Sequence, residues 1–440
     1  MADKVAIIGG YGGMGQLFAR LFIKQGCEVL ICGPNKVKAD KVAKQLGVKA
    51  TSDNVEAARY GDVVVITVPI AVTAKTIEEV APHVRKGAMI MDLTSVKTWP
   101  CELMEKYCAD DVQVLGTHPI FGPRVGSVDG QVFVLTPVRG KKWIKWFRDV
   151  LESSNARIID STPEEHDKVM AVVQGLTHFA YISVGKTLCD LGLDVKRSRQ
   201  FSSPVYELML DMIGRIIGQD PHLYAEIQIQ NPEVLKVHET YLTACERLSE
   251  AVRSGDEPGF VKMMAQASKH FGDTERAMGR SDKAIGSLVA ELKLLQDRVG
   301  EKIYLKHMYS GNVHVGVIEK VTSDEVTLRS GGKLRKLKLS NLQVLFGNKI
   351  REYEVEKYGT NERDYSIKFS EAADEMLISG LLGKSVKKVV DVSVKDVYKG
   401  GKLGDGVKSI CFCVKFIQDD VKATDKAIID FFEGIGGVRR

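Results

Sequence analysis

The stretch VAIIGGYGGMGQLFARLF, residues 5–22, decides the fold. Its first four residues are wholly apolar, as a strand buried on both faces of a parallel sheet should be. A glycine-rich turn follows. Beyond it Met14, Leu17, Phe18, Leu21 and Phe22 fall at i, i+3, i+4, i+7 and i+8, one stripe of an amphipathic helix. The turn itself carries Gly10, Gly12 and Gly15 in the spacing GxGxxG. That spacing is weak alone, but a strand before it and a helix after it make it specific. Gly10 permits the tight turn, Gly12 lets backbone approach a pyrophosphate, and Gly15 allows helix and strand to pack closely. The helix N-terminus then offers free N–H groups and partial positive charge to phosphate. The segment is expected to hold a nicotinamide dinucleotide, NAD or NADP, against Gly10, Tyr11, Gly12, Gly13, Met14 and Gly15.

Outward from this turn, the apolar runs EVLIC (residues 28–32), DVVVITV (62–68) and AMIMDL (88–93) alternate with helical periodicity. The alternation predicts a doubly wound parallel sheet, a Rossmann domain over residues 1–160. Val68 and Pro69, ending the second of these runs, are expected on the rim of the cofactor crevice. NAD sites usually carry Asp or Glu at the end of the second strand to bind the ribose 2′-hydroxyl. CGPNK, residues 32–36, has no acid there. Asn35 and Lys36 could receive a 2′-phosphate, which tilts the reading towards NADP, although Lys36 could equally open an exposed helix.

Residues 161–298 show helical periodicity only, an all-α dimerisation and substrate domain. Residues 169–184 are apolar on more than one face and so need burial on several sides, as the central helix of a homodimeric bundle would provide. Near Gly300 the texture changes. Short alternating runs broken by Ser310-Gly311-Asn312 and Gly331-Gly332 predict a small antiparallel β-barrel over residues 299–352. The remainder, residues 353–440, reads strand, helix, two strands, helix, short strand from residue 363 onward, a ferredoxin-like α+β domain.

Composition sets wider bounds. A chain of 440 residues with 44% apolar and 27% charged residues suits a soluble protein of two to four domains. No run approaches the ~20 apolar residues of a membrane helix, so no membrane partner is expected. The opening MADKVAIIGG lacks the pattern of a secretory signal. Eight scattered cysteines form no CxxC pair and no metal-ligand spacing, so a reduced cytoplasm and no metal are expected. The net charge of +5 resides in residues 301–440, with 25 Lys and Arg against 20 Asp and Glu; the preceding 300 residues balance at 37 each. Lys333, Arg335, Lys336 and Lys338 lack interleaved aromatics, so a solvated face is their default reading.

The chemistry concentrates in two blocks, DLTSVK (92–97) and LGTHPIFGPRVGS (115–127), which end strands at the carboxyl edge where the nicotinamide should lie. His118, at a strand end in a Gly/Pro loop, is the candidate general base.

Seven ordered blocks now show what the chain resembles: GGYGGMGQLF (9–18), VPI (68–70), DLTSVK (92–97), GTHPIFGP (116–123), EHD (165–167), SSPVYEL (202–208) and MIGRIIGQDPHLYAEI (212–227). Over about residues 1–298 it is similar to the prephenate dehydrogenase family. The resemblance implies oxidative decarboxylation of prephenate to 4-hydroxyphenylpyruvate in tyrosine biosynthesis, with hydride passing to NAD(P)+. Arogenate is the alternative substrate, and a ligand-sensing or RNA-binding regulator is the remote alternative. By resemblance His118 is the catalytic base that takes the proton of the C4 hydroxyl, Ser95 hydrogen-bonds the same hydroxyl and orients the histidine, and Arg215 clamps a carboxylate. His178 lines the substrate pocket, while His166 is read as a packing residue at a helix start. Only a neutral imidazole can accept the proton, so activity should rise through a histidine titration at about 6.5 if unperturbed. Thr177 stands where some relatives carry a basic residue, leaving open how the substrate side chain is held.

The tail resembles the ferredoxin-fold anticodon-binding domain of the phenylalanyl-tRNA synthetase β chain. RDYSIKF (363–369), DVYKGGKLGDGVKSICFCVKF (396–416), Thr424 and Asp425 carry the likeness. Three roles are open for the tail: RNA binding, binding of a regulatory amino acid such as tyrosine, or a structural role.

Overall fold

In the computed structural model, which describes residues 4–400 and 403–439, the chain divides into two units, Met1–Ala277 and Met278–Arg440. The first unit opens with β1 (Lys4–Ile8), β2 (Glu28–Cys32), β3 (Lys49–Thr51) and β4 (Val63–Ile66). It continues with β5 (Met89–Asp92), β6 (Gln113–Pro119), β7 (Val132–Arg139) and β8 (Arg157–Asp160). These form one sheet in the order β3-β2-β1-β4-β5-β6-β7-β8. Pairing is parallel from β3 through β6, so all those carboxyl ends open on one edge. β1 pairs with both β2 and β4, and the chain therefore reverses its direction of winding beside β1, where such sheets open a crevice. The expectation of a wholly parallel sheet needs one correction, because β7 runs antiparallel to β6. The two are joined by a surface loop rather than a crossover helix.

Alternation along β1 explains why the apolar run is continuous. Val5 and Ile7 enter a core with Phe18, Phe22, Phe133 and Phe147, while Ala6 and Ile8 enter another with Ile66, Ile77 and Met104. Helices cover both faces, so neither phase of the strand meets water.

After β8 the chain becomes helical. Thr162 caps the helix Pro163–Met170, its side chain accepting from Glu165 N at 3.2 Å with Pro163 in the first turn. One π turn, Ala171–Leu176, leads into the helix Thr177–Asp190. The helix Thr177–Asp190 has no buried residue in a single chain, and Val169, Val172 and Val173 are about half exposed.

In the second unit, β9 (Lys302–His307), β10 (Val313–Val321), β11 (Glu325–Ser330), β12 (Lys333–Lys338) and β13 (Leu342–Val344) form a sheet ordered β12-β11-β10-β9-β13. It is open, which corrects the expected barrel. β12 and β13 stand at opposite edges, and β13 spans three residues, so it pairs with β9 alone among the described strands. Strand periodicity reports burial of one face and carries no information on closure. The remaining strands, β14 (Thr360–Ser370), β15 (Val389–Tyr398), β16 (Val407–Ile417) and β17 (Val438–Arg439), order as β15-β16-β14-β17, all antiparallel. The helices Glu375–Ser385 and Val421–Gly434 follow β14 and β16. Residues 401 and 402 of the DVYKGGKLGDGV motif lie outside the described residues.

Phe432 is wholly buried in this last core, stacked on Phe412 with ring centroids 5.0 Å apart. The core shares no residue with those of the Rossmann sheet. Phe432→Ala is expected to cost the C-terminal sheet about 3–5 kcal/mol. Denaturant unfolding should show its transition move while dinucleotide affinity, followed by fluorescence titration, stays unchanged.

Candidate active site

The glycine turn fits a dinucleotide by its empty space. Gly12 caps the helix Gly13–Lys24 without a side-chain hydrogen bond, and the first turn carries no acid. A Cβ on Gly15 would lie 2.6 Å from Gly10 Cα, and one on Gly10 would lie 2.7 Å from Ile7 O, so helix, turn and strand touch through backbone alone. Gly9, at φ 85°, makes the sharp exit from β1, and its N–H and that of Gly10 both donate to Cys32 O. Gln16 Nε2 donates to Tyr11 O at 2.8 Å and pins the turn.

The end of β2 is more crowded than the sequence suggests. The Tyr11 ring lies against Gly33, where any side chain would collide with it. Asn35 spends its Oδ1 as the cap of the helix Lys36–Leu46, accepting from Lys38 N at 3.0 Å, and Lys36 is that helix's first, exposed residue. Burial pushes the Cys32 thiol up to about 12, helped by the charges of Asp53, Glu79 and Glu56. These acids come from segments remote from the CGPNK motif. Val68 and Pro69 lie in the turn after β4, with Pro69 capping the helix Ile70–Val80.

The loop after β6 meets this turn. Gly13 packs against Pro123, five residues beyond His118, so closely that a Cβ would stand 2.7 Å from the proline ring. The GTHPIFGP block and the glycine turn are therefore neighbours in space.

His118 lies one residue before the end of β6, with 3% of its surface exposed. Its Nδ1 lies 2.8 Å from His166 Nε2, and its Nε2 lies 3.2 Å from Gln174 Nε2. His166 Nδ1 is in turn 2.8 Å from Asp167 Oδ1. Asp167 also accepts from Lys97 N at 2.8 Å, Thr98 N at 2.9 Å and Thr98 Oγ1 at 2.6 Å. It thereby caps the helix Thr98–Tyr107, whose own N-cap position provides no side-chain bond. A carboxylate at a helix N-terminus is favoured by the helix dipole as well as by the N–H groups.

Beneath this chain, Lys97 and Asp92 form an ion pair with both side chains at 0% exposure. Thr94 also hydrogen-bonds the Asp92 carboxylate, and Thr117 Oγ1 donates to Asp92 O.

Burial, reinforced by the nearby His166 and by the charge of Lys97, holds the His118 imidazole well below the usual histidine range. Burial also lowers His166, against the opposing pull of Asp167. Burial would raise the Asp167 carboxyl, but hydrogen bonds from His166, Thr98 and the Thr98 and Lys97 backbone outweigh it and hold it low. The sequence-based value for His118 assumed an unperturbed ring and needs correction downward.

Ser95 sits half-buried in the loop after β5, and among the described residues no hydrogen bond joins it to His118. His166 and Gln174 are the ring's partners instead. His166 is thus no mere packing residue. The EHD spacing placed it beside Asp167, but only the fold shows that it faces β6.

The helical residues gather nearby. His178, four residues after Gln174, meets the Tyr224 ring edge-on at 4.6 Å, and its buried Nδ1 has no partner among the described residues. Gln219 Nε2 donates to Tyr224 Oη at 2.9 Å and to Arg215 O at 2.7 Å. The Arg215 guanidinium is exposed, yet near enough to Tyr224 to act on its hydroxyl, which burial raises overall. Among the described residues no group of three His, Cys, Asp or Glu side chains is arranged to hold a metal ion, and no helix is long and apolar enough to cross a membrane.

Residues 18–160 match the family model described as prephenate dehydrogenase, nucleotide-binding domain, and residues 162–266 match prephenate dehydrogenase, dimerization domain. The chain is 41% identical to a probable arogenate/prephenate dehydrogenase of Methanocaldococcus jannaschii, over 99% of this chain and 98% of that one. It is 31% identical to the T-protein of Haemophilus influenzae, over 66% of this chain and 73% of its relative. In fold it is similar to the crystal structure of prephenate dehydrogenase from A. aeolicus in complex with hydroxyphenyl propionate and NAD+. That match has a TM-score of 0.51 and 21% identity, covering 61% of this chain and 96% of the other. The chain belongs to the prephenate dehydrogenase family of NAD(P)-dependent oxidoreductases.

Proposed function

We propose that this protein oxidises and decarboxylates prephenate to 4-hydroxyphenylpyruvate, with His118 as the base and Arg215 as the carboxylate clamp. The observation that carries the reading is the buried imidazole of His118 at the carboxyl edge of the sheet, just before a loop that packs on the glycine turn, with burial holding its pKa low. A bound nicotinamide dinucleotide supplies the hydride acceptor. The turn at Gly10, Tyr11, Gly12, Gly13, Met14 and Gly15 would hold its pyrophosphate, with Val68 and Pro69 along the crevice. The absence of an acid in residues 32–36 keeps NADP as the favoured form, with Asn35 Nδ2 and Lys36 available to a 2′-phosphate. The carboxylates of Asp53, Glu56 and Glu79 act in the opposite sense.

His118 Nε2 takes the proton of the C4 hydroxyl as hydride leaves C4. The C1–carboxylate bond then breaks, its electron pair passes through the ring to the C4 oxygen, carbon dioxide departs, and the aromatic phenolate takes the proton back from His118. Ser95, in the loop after β5, would share the hydroxyl, as the family resemblance implies. Arg215 offers a planar fork that matches a carboxylate, and His178 and Tyr224 line the route from it towards Gln174. Arogenate, with an amine in place of the side-chain keto group, is the second substrate to test, because a relative 41% identical carries both substrates in its name.

The exposed Val172 and Val173 of the π turn, and a helix Thr177–Asp190 whose apolar residues are only half-buried in a single chain, support a homodimer formed through the helical domain, as does the match to a dimerization domain. We read the chain as a Rossmann domain (1–160), a helical domain (161–298), a small β domain (299–352) and a ferredoxin-like domain (353–440). The last carries either an amino-acid effector, an RNA or a structural role.

Crossing prephenate and arogenate with NAD+ and NADP+ and following reduced nicotinamide tests the assignment; turnover in none of the four combinations would sink it. His118→Asn should lower kcat by about 10²–10⁴-fold while dinucleotide affinity is retained. Arg215→Gln should raise the substrate KM at least about tenfold, the loss of one charge-assisted fork, with a smaller change in kcat. Because His118 must be neutral and its pKa is lowered, kcat/KM should stay flat through pH 6.5 and fall only at more acid values. An acid limb centred at or above 6.5 would contradict the buried ring.

A further inference from the structure

His118 is the last of three side chains in a line, and the direction of that line is set at its far end. Asp167 is an ionised acceptor with four donors around it, three of them from residues 97 and 98 and the fourth from His166. A carboxylate has no proton to offer, so His166 must carry hydrogen on Nδ1. Neutral His166 then presents a lone pair at Nε2, and His118 Nδ1, 2.8 Å away, must donate to it. That leaves the lone pair of His118 on Nε2, facing Gln174 Nε2 at 3.2 Å.

We propose that His166 and Asp167 are positioning residues, which lock His118 in the tautomer protonated at Nδ1 and so keep Nε2 open as the proton acceptor. The proposal rests on the reading of His118 as the base. The opposite tautomer would need His166 Nε2 to donate, which would turn a bare Nδ1 lone pair towards the Asp167 carboxylate. Double protonation of His166 would place a cation in a buried site beside Lys97. The charged and titratable groups that face the pair are Asp92 at the end of β5, Lys97 from the loop after it and Asp167 from the helix Pro163–Met170. Gln174 completes the arrangement. Its amide N–H occupies the Nε2 lone pair without substrate, and its buried Oε1 has no partner among the described residues. The substrate hydroxyl would replace that amide.

The geometry resembles the acid–imidazole pairing that fixes the tautomer of a serine hydrolase base, extended by one more imidazole.

Three full-length variants test it: His166→Leu, His166→Gln and Asp167→Asn. His166→Leu removes the acceptor, and kcat should fall about hundredfold with the substrate KM and dinucleotide affinity within about twofold. His166→Gln keeps an acceptor oxygen for Nδ1–H and should recover kcat to within about tenfold of the parent. Asp167→Asn should fall between the two and also lower the melting temperature, because it caps a helix. In ¹⁵N spectra of histidine-labelled protein, the His118 resonance, assigned by its loss in His118→Asn, should be that of the Nδ1–H tautomer, and should become mixed in His166→Leu. A His166→Leu kcat within twofold of the parent, or an Nε2–H ring in the parent spectrum, would overturn the proposal. A His166→Leu chain that fails to fold leaves His166→Gln and the parent spectrum to decide. A parent protein that turns over neither substrate refutes the reaction assigned to His118, whereas the tautomer is read independently of turnover.

Discussion

One carboxylate holds the two halves of the catalytic unit in register. Asp167 belongs to the helical part, yet its oxygens accept from the backbone of Lys97 and Thr98, at the start of a helix that flanks the Rossmann sheet. Its own carbonyl accepts from Asn231 Nδ2 at 2.8 Å, tying in a third segment. A buried anion is costly unless fully paired, and here each of its partners is also a structural joint. The loop bearing Ser95 and the helix bearing His166 are consequently located against a single side chain, and the strand end bearing His118 against His166 in turn.

The buried ion pair below adds an electrostatic bias. Lys97 and Asp92 neutralise one another in net charge, but the ammonium is felt by both imidazoles as a reason to stay uncharged. Replacing either partner alone would strand the other in a dry interior, at a cost of about 3–5 kcal/mol. The DLTSVK block is thus a structural device with an electrostatic effect: the charge of Lys97 helps to hold both imidazoles below the usual histidine range.

Much of the Rossmann half was legible in the sequence because its signals are local. The continuous run of β1, the stripe from Met14 to Phe22 and the glycine spacing all lie within two dozen residues, and each reports a backbone requirement. The antiparallel β7 was not legible, since Val132–Arg139 has the same apolar texture in either direction. Nor was the open sheet of β9 to β13, because alternation fixes which face is buried and not whether edges meet. His118 could be singled out from its strand-end loop. His166 could not be given its role, since it acts across 48 residues, and no periodicity records which strand a helix start will face. The acids around Cys32 escaped for the same reason, arriving from residues 53, 56 and 79. Gln174 had no motif at all.

Gln174 owes its place to the π turn at Ala171–Leu176. Such a turn holds one residue more than an α-helix would, and each residue of an α-helix advances side chains by about 100°. Everything downstream, His178 included, is therefore phased differently from His166 than unbroken helical winding would make it. A single codon gained or lost in this segment would swing His178 and the residues that follow it around the fixed imidazole. Phase, as much as residue identity, thereby sets which side chains of this segment face His118.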